Sequence, residues 1–177
     1  MTKYYGIGLG RTGTSSLCKA FQKMGFKSKH YMMSFNMSRI RGYDFVNDAP
    51  IPSHFEVLDE KFKGAKFIYT VRELDAWLIS MEKHLARKKR ITGRKKAARI
   101  RIYGSHTFDR KIFTEAYKKH DKKVKEYFRE RPQDLLIMNI CNGDGWEKLI
   151  PFVGEDNIVN KNFDYRSCHF PHSNKAK

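Results

Sequence analysis

Tyr4-Tyr-Gly-Ile-Gly-Leu-Gly10-Arg-Thr-Gly-Thr-Ser-Ser-Leu-Cys-Lys-Ala-Phe-Gln-Lys-Met24 is the stretch whose reading decides the fold. Tyr4 to Gly10 is a short apolar strand running into glycines, and Arg11 to Ser16 is a polar loop. From there Leu17, Ala20, Phe21 and Met24 recur at spacings of three and four until Gly25 stops them. Strand, glycine loop and helix in that order bring backbone N–H groups and a helix N-terminus to a place where they converge on an anion.

The same alternation continues downstream. Phe26 to Tyr31 and Tyr43 to Val46 read as short strands, and Asn47-Asp-Ala-Pro-Ile-Pro52 as a turn. Ser53, with Glu56 three residues on, has the spacing of a capping box and predicts a helix start. Lys66-Phe-Ile-Tyr-Thr-Val-Arg72 is a β-branched and aromatic strand, followed by a helix from Leu74 to about Arg90. A basic helix is expected from about His106 to Arg131, closed by Pro132. Asp134-Leu-Leu-Ile-Met-Asn-Ile140 reads as a strand buried on both faces, and Asn142-Gly-Asp-Gly145 leads from it into a helix over Trp146 to Val153. Strands alternating with helices predict an α/β fold, three layers α/β/α around a central parallel sheet.

The chain has 177 residues, of which 40% are hydrophobic and 14% aromatic, enough for one domain with a real core across 1–177. Thirty-six Lys and Arg oppose 19 Asp and Glu, a net charge of +17, so an anionic partner is expected. No signal-like apolar run of about 7–15 residues follows the N-terminus, and no segment reaches the ~20 apolar residues of a membrane span. A soluble, cytoplasmic protein is the expectation. Cys18, Cys141 and Cys168 are odd in number and widely spaced, a pattern of reduced structural cysteines rather than a disulfide framework or a zinc site.

The glycine loop admits three readings. Gly8, Gly10 and Gly13 satisfy G-x-G-x-x-G, but the acidic residue expected about 20 positions later is replaced by lysines and a histidine, which argues against NAD and leaves NADP open. Gly8 and Gly13 also have Walker A spacing, yet Thr14 stands where the lysine belongs. The strands lead to Arg72 and Asn139 rather than to a magnesium-holding aspartate. The third reading is sulfuryl transfer, in which the moving group carries less charge and cationic side chains with backbone donors suffice without a metal.

On Gly10-Arg-Thr-Gly-Thr-Ser-Ser-Leu17 the sequence resembles the P-loop sulfotransferases that use 3′-phosphoadenosine 5′-phosphosulfate. The resemblance continues in the strand ending at Arg72 and in Ser80, eight residues later, a pair that in the family holds the donor's 3′-phosphate. It extends through Leu135 to Leu149 and the tail His169-Phe-Pro-His-Ser-Asn174, with Glu73-Leu74 in place of Asp-Pro and Asn139 in place of a frequent aspartate. It implies a P-loop NTPase-like fold, a donor site of Arg11, Thr12, Gly13, Thr14, Ser15, Ser16, Arg72 and Ser80, and Arg11 as the cation at the sulfuryl group. The family draws its base from the region between the two phosphate motifs, where Asp44, Asp48, His54 and Glu56 qualify. Asp48, in a stretch that resembles the family's Asp-x-Pro, is the first choice and His54 the second. His30, His84, His106 and His120 read as surface residues, and the resemblance alone brings His169 and His172 toward the donor.

From Lys83 to Arg131, 19 Lys or Arg stand against 5 acidic residues, a net of +14 out of +17. This basic stretch, 85–131, reads as a helical insertion or flap: a solvated face, a cover over an anionic acceptor or the donor, or an adventitious nucleic-acid surface. Without interleaved aromatics it does not form a base-stacking platform. The expected partner is a small-molecule or glycan acceptor, with a hydroxyl or amine receiving the group. A P-loop kinase and a nucleic-acid or polyanion binding module are the alternatives.

Overall fold

The computed structural model describes residues 2–87, 91 and 93–173. Five strands, β1 (Tyr4–Gly6), β2 (Ser28–His30), β3 (Phe45–Asn47), β4 (Lys66–Thr70) and β5 (Leu135–Met138), form one parallel sheet in the order β2-β3-β1-β4-β5. Around it lie α1 (Thr14–Lys23), α2 (Met37–Arg41), α3 (Phe55–Lys61), α4 (Leu74–Ala86), α5 (Gly93–Tyr103), α6 (Arg110–Tyr127) and α7 (Trp146–Val153). The expected α/β class with a central parallel sheet is what the chain adopts.

Side chains alternate across the sheet as the pleat requires. Tyr4, Phe45 and Ile68 enter a core with α1 and α7, whereas Tyr5, Val46, Phe67 and Tyr69 enter a second core with α3 and α6. Phe21 of α1 stacks on Phe45 at 3.9 Å, fixing the first helix over β3. A third cluster of Leu9, Trp77, Leu85, Tyr103 and Phe113 joins the glycine loop to α4, α5 and α6. Full burial of each such aromatic stabilises by about 1.5–3 kcal/mol.

Several local expectations are corrected. Ser53 is not a helix cap: it ends a 3-10 turn (Ile51–Ser53), its hydroxyl donates to Pro50 O at 2.9 Å, and α3 starts after His54 without a side-chain cap. The two prolines favour the tight turn over an earlier start to the helix. β5 pairs with β4 alone, so it is an edge strand rather than one buried on both faces, and Ile137 is 40% exposed. The helix expected to reach Arg90 ends at Ala86 among the described residues, and Arg90 itself lies outside them. The basic stretch holds two helices, α5 and α6, where one was expected. Among the described residues no helix is long and apolar enough to cross a membrane.

The loop after β1 touches β4 closely. A Cβ on Gly8 would stand 1.9 Å from Thr70 Oγ1 and 2.5 Å from Thr70 O. Gly8→Ala is therefore expected to cost about 1–3 kcal/mol and to lower Tm by roughly 2–12 °C. Thermal denaturation followed by circular dichroism checks this, and an unchanged Tm would show that the loop relaxes freely.

Candidate active site

The loop between β1 and α1 is held from three sides. Thr12 Oγ1 donates to Leu9 O at 2.6 Å and lies 2.7 Å from Thr70 Oγ1; Trp77 Nε1 of α4 donates to Gly10 O at 2.9 Å; the Tyr103 hydroxyl of α5 accepts from the Gly10 N–H at 3.1 Å. Gly13 caps α1 at φ 102°, left-handed backbone that favours glycine, and a Cβ there would meet Ile140 at 2.9 Å. No side chain caps α1 and its first turn carries no acid, so its leading N–H groups and positive dipole end are suited to an anion.

Arg11 and Arg72 meet beside this terminus. Arg11 Nε donates to Ser80 Oγ at 3.1 Å, and Arg72 Nη1 donates to Arg11 O at 3.3 Å. Arg72 is fixed by Tyr117 of α6, whose hydroxyl donates to Arg72 O at 2.6 Å and accepts from its N–H at 3.1 Å. On the far side of α1, His30 Nε2 lies 3.0 Å from Asp48 Oδ2, 3.3 Å from Thr14 Oγ1 and 3.2 Å from Ser15 Oγ. Asp48 Oδ1 accepts from the Ala49 N–H at 2.6 Å, and Oδ2 from Thr14 Oγ1 at 3.2 Å. Burial pushes the Asp48 carboxyl up, but hydrogen bonding and charge from His30, with Ala49 and Thr14, outweigh it and hold the carboxyl below its usual range.

One cavity of about 780 Å³ joins these groups. Of the residues expected from sequence, Arg11, Gly13, Thr14, Ser15, Ser16, Asp48 and Arg72 line it. Thr12 and Ser80 do not. The Thr12 hydroxyl and N–H both turn to Leu9 O, so its donors serve the loop itself. Ser80 reaches the site through Arg11. His54 is also outside: it stacks on Phe35, donates from Nδ1 to Pro50 O and accepts from Arg101 at Nε2.

Two of the histidines expected at the surface, His30 and His84, line the cavity, as do His172 of the tail and Tyr31. His120 is no surface residue either. Its ring donates to Ile7 O at 2.8 Å beneath β1, and burial with Lys123 pulls its pKa down against that bond. The signal that finds His30 is its place at the end of a strand, paired in register with Asn47, the residue before Asp48. Arg11, Tyr31 and Asp48 each have φ between 61° and 73°, and all three line the cavity. Such backbone costs bulky residues energy and concentrates at functional sites.

A model of the sulfotransferase domain matches residues 5–41 and 37–177. The chain belongs to the sulfotransferase family. No curated protein matches it closely enough to count as a relative. A sulfotransferase must receive an anionic donor and relieve an acceptor of a proton. In this member the cationic, N–H-rich side of the cavity and its one acidic group, Asp48, stand on opposite flanks of α1.

The lowered Asp48 pKa carries a sign. The ionised form is the one the fold favours, so its contribution is complete well above the ordinary value of 3.8 and is lost as pH falls through the lower folded value. Asp48→Asn is expected to destabilise by about 1–3 kcal/mol at pH 7. The gap from the parent protein should narrow between about pH 5 and pH 3 in urea melts. A gap that stays constant over that range would contradict the carboxylate's role.

Proposed function

We propose that this sulfotransferase takes its sulfuryl group from 3′-phosphoadenosine 5′-phosphosulfate and passes it to a hydroxyl, or an amine, of a small-molecule or glycan acceptor. The observation that carries this reading is the meeting of an uncapped helix N-terminus with Arg11 and Arg72, across α1 from the His30–Asp48 pair, in one cavity. The N–H groups of the α1 terminus with Arg11 suit the 5′-phosphosulfate, and Arg72 suits the 3′-phosphate, with Ser80 positioning Arg11.

Asp48 accepts and cannot donate when ionised, so His30 Nε2 carries the hydrogen between them, and neutral His30 keeps its lone pair on Nδ1. In the step proposed, His30 takes the acceptor's proton and Asp48 stabilises the imidazolium. The acceptor oxygen forms a bond to sulfur as the bond from sulfur to the bridging phosphate oxygen breaks. The electron pair goes to that oxygen, where Arg11 and the helix N-terminus stabilise it. A sulfate ester and adenosine 3′,5′-bisphosphate result. Asp48 thus acts through His30, because a carboxylate held at low pKa is a weak base.

Adenosine 3′,5′-bisphosphate without magnesium is expected to raise Tm by roughly 5–10 °C at 100 times its Kd. Arg72→Ala should weaken that binding about tenfold or more. A response to magnesium ATP alone would favour the kinase alternative, and a response to heparin or DNA alone the polyanion module. His30→Ala should lower kcat by about 10²–10⁴ with little change in nucleotide affinity, and unchanged turnover would return the base role to Asp48.

A further inference from the structure

Donor binding leaves part of the cavity's charge without a task. Lys95, Ala98, Arg99 and Ile102 fall at spacings of three, four and seven along α5, one stripe of the helix, and all four line the cavity. Arg94, Lys96 and Arg101 of the same helix do not line it, and Arg101 is turned to His54. Of the basic stretch, α5 thus brings two cations, Lys95 and Arg99, to the cavity beside apolar side chains, and Arg87 at the end of α4 adds a third.

Arg99 is half-buried, and its Nη1 donates to His106 O at 3.4 Å. Among the described residues neither it nor Lys95 has an ion pair with a carboxylate. Asp48, which shares the cavity, is bonded to His30, and on α4 and α6 Asp75 pairs with Arg110, Asp121 with Lys125 and Glu126 with Lys122. Burial lowers the Arg99 pKa, the mark of a guanidinium short of counter-charge.

The stripe's position follows from the sheet order. Arg72 leaves β4 on one side of β1, whereas His30 and Asp48 follow β2 and β3 on the other. Burial, Asp48 and Arg99 act together on the Tyr31 and Tyr103 hydroxyls, Asp48 pushing them up and Arg99 pulling them down. All four line the one cavity, and a Cβ on Gly10 would stand 3.1 Å from the Tyr103 hydroxyl and 3.9 Å from Asp48 Oδ1, so Tyr103 of α5 comes close to the carboxylate. α5 also packs on the 3-10 turn after β3. Arg99 thus faces the proton-accepting flank, away from the flank suited to the donor's 3′-phosphate.

Resting on the sulfotransferase reading above, we propose that Lys95 and Arg99 form an anion subsite for the acceptor, a small hydroxyl compound that already carries a carboxylate or sulfate group. Its hydroxyl points at His30 and Asp48, its body lies on Ala98, Ile102 and Tyr31, and its anionic end meets the two cations. At about 780 Å³ the cavity is in the upper part of the ~300–1,000 Å³ range of small-molecule pockets, consistent with nucleotide and acceptor together.

The test is calorimetric titration of the full chain saturated with adenosine 3′,5′-bisphosphate, which blocks the helix N-terminus. The probes are two charge-matched pairs: 4-hydroxybenzoate against 4-hydroxybenzyl alcohol, and glucuronate against glucose. The anionic member of at least one pair should bind about tenfold tighter than its neutral partner at low salt, less so as salt rises. Lys95→Glu and Arg99→Gln should each erase most of that preference while changing the nucleotide Kd less than about twofold. Lys95 is exposed, so its variant tests the subsite without threatening the fold. No preference in either pair overturns the proposal, as does a preference shown only by heparin. An equal loss of nucleotide affinity in the Arg99 variant would assign the stripe to the donor. If the parent protein fails to bind the nucleotide at all, the donor reading fails instead, and this outcome is read before any acceptor is added.

Discussion

The approach of the first loop to β4 is the constraint on which the rest depends. At Gly8 the backbone passes so close to Thr70 that no side chain fits, and Thr12 seals the contact by bonding both Leu9 O and Thr70 Oγ1. This draws the start of α1 over the C-terminal edge of the central strands, where ligands of open parallel sheets bind. Gly13 then turns the chain at left-handed φ against Ile140, leaving the helix terminus open and uncapped. Arg11, itself at positive φ, is presented between Ser80 and Arg72 by that same turn. The third core cluster, with Trp77 bonded to the Gly10 carbonyl and Tyr103 to the Gly10 N–H, is the buttress that makes so bent a loop stable.

Charge in the cavity is arranged around one acid. Arg11, Arg72, Arg87, Lys95 and Arg99 line it, against Asp48. Five cations against one acid give the cavity a positive potential that favours anions. Asp48 keeps its ionised form through its hydrogen bonds rather than through exposure, and that keeps His30 oriented. Part of the basic excess reported by composition is thus at the surface, where Lys122, Lys123, Lys125 and Arg129 pair with acids, and part lines the cavity, where Lys95 and Arg99 have no such pair among the described residues.

What was legible in the sequence was local. The strand, glycine loop and helix at Tyr4 to Met24, the strand ending at Arg72 and the helix at Trp146 to Val153 are patterns complete within a few turns of chain, and the structure forms them there. Less legible were features made by register and strand order. His30 and Asp48 are 18 residues apart, and only the parallel pairing of His30 with Asn47 makes them neighbours. β5 has the apolar run of an interior strand, yet its place at the edge depends on which strands pair, a property no single segment carries. His120 reads as one polar residue among lysines, and only the packing of α6 beneath β1 gives it Ile7 O as a partner.

The same distinction explains the two expectations about basic residues that composition could not separate. A helix of alternating lysines and arginines looks solvated when charge is counted along the chain. Three-dimensional placement asks which positions share a stripe, and on α5 the stripe facing inward is two cations flanked by alanine, isoleucine and tyrosine. A fully solvated face has no use for that mixture, because apolar side chains there stabilise nothing. A polyanion surface would instead spread its cations outward, where counterions and phosphates reach them. Lys95 and Arg99, sharing the cavity with His30 and Asp48, have the composition that the proposed acceptor, a small amphiphilic anion, would require.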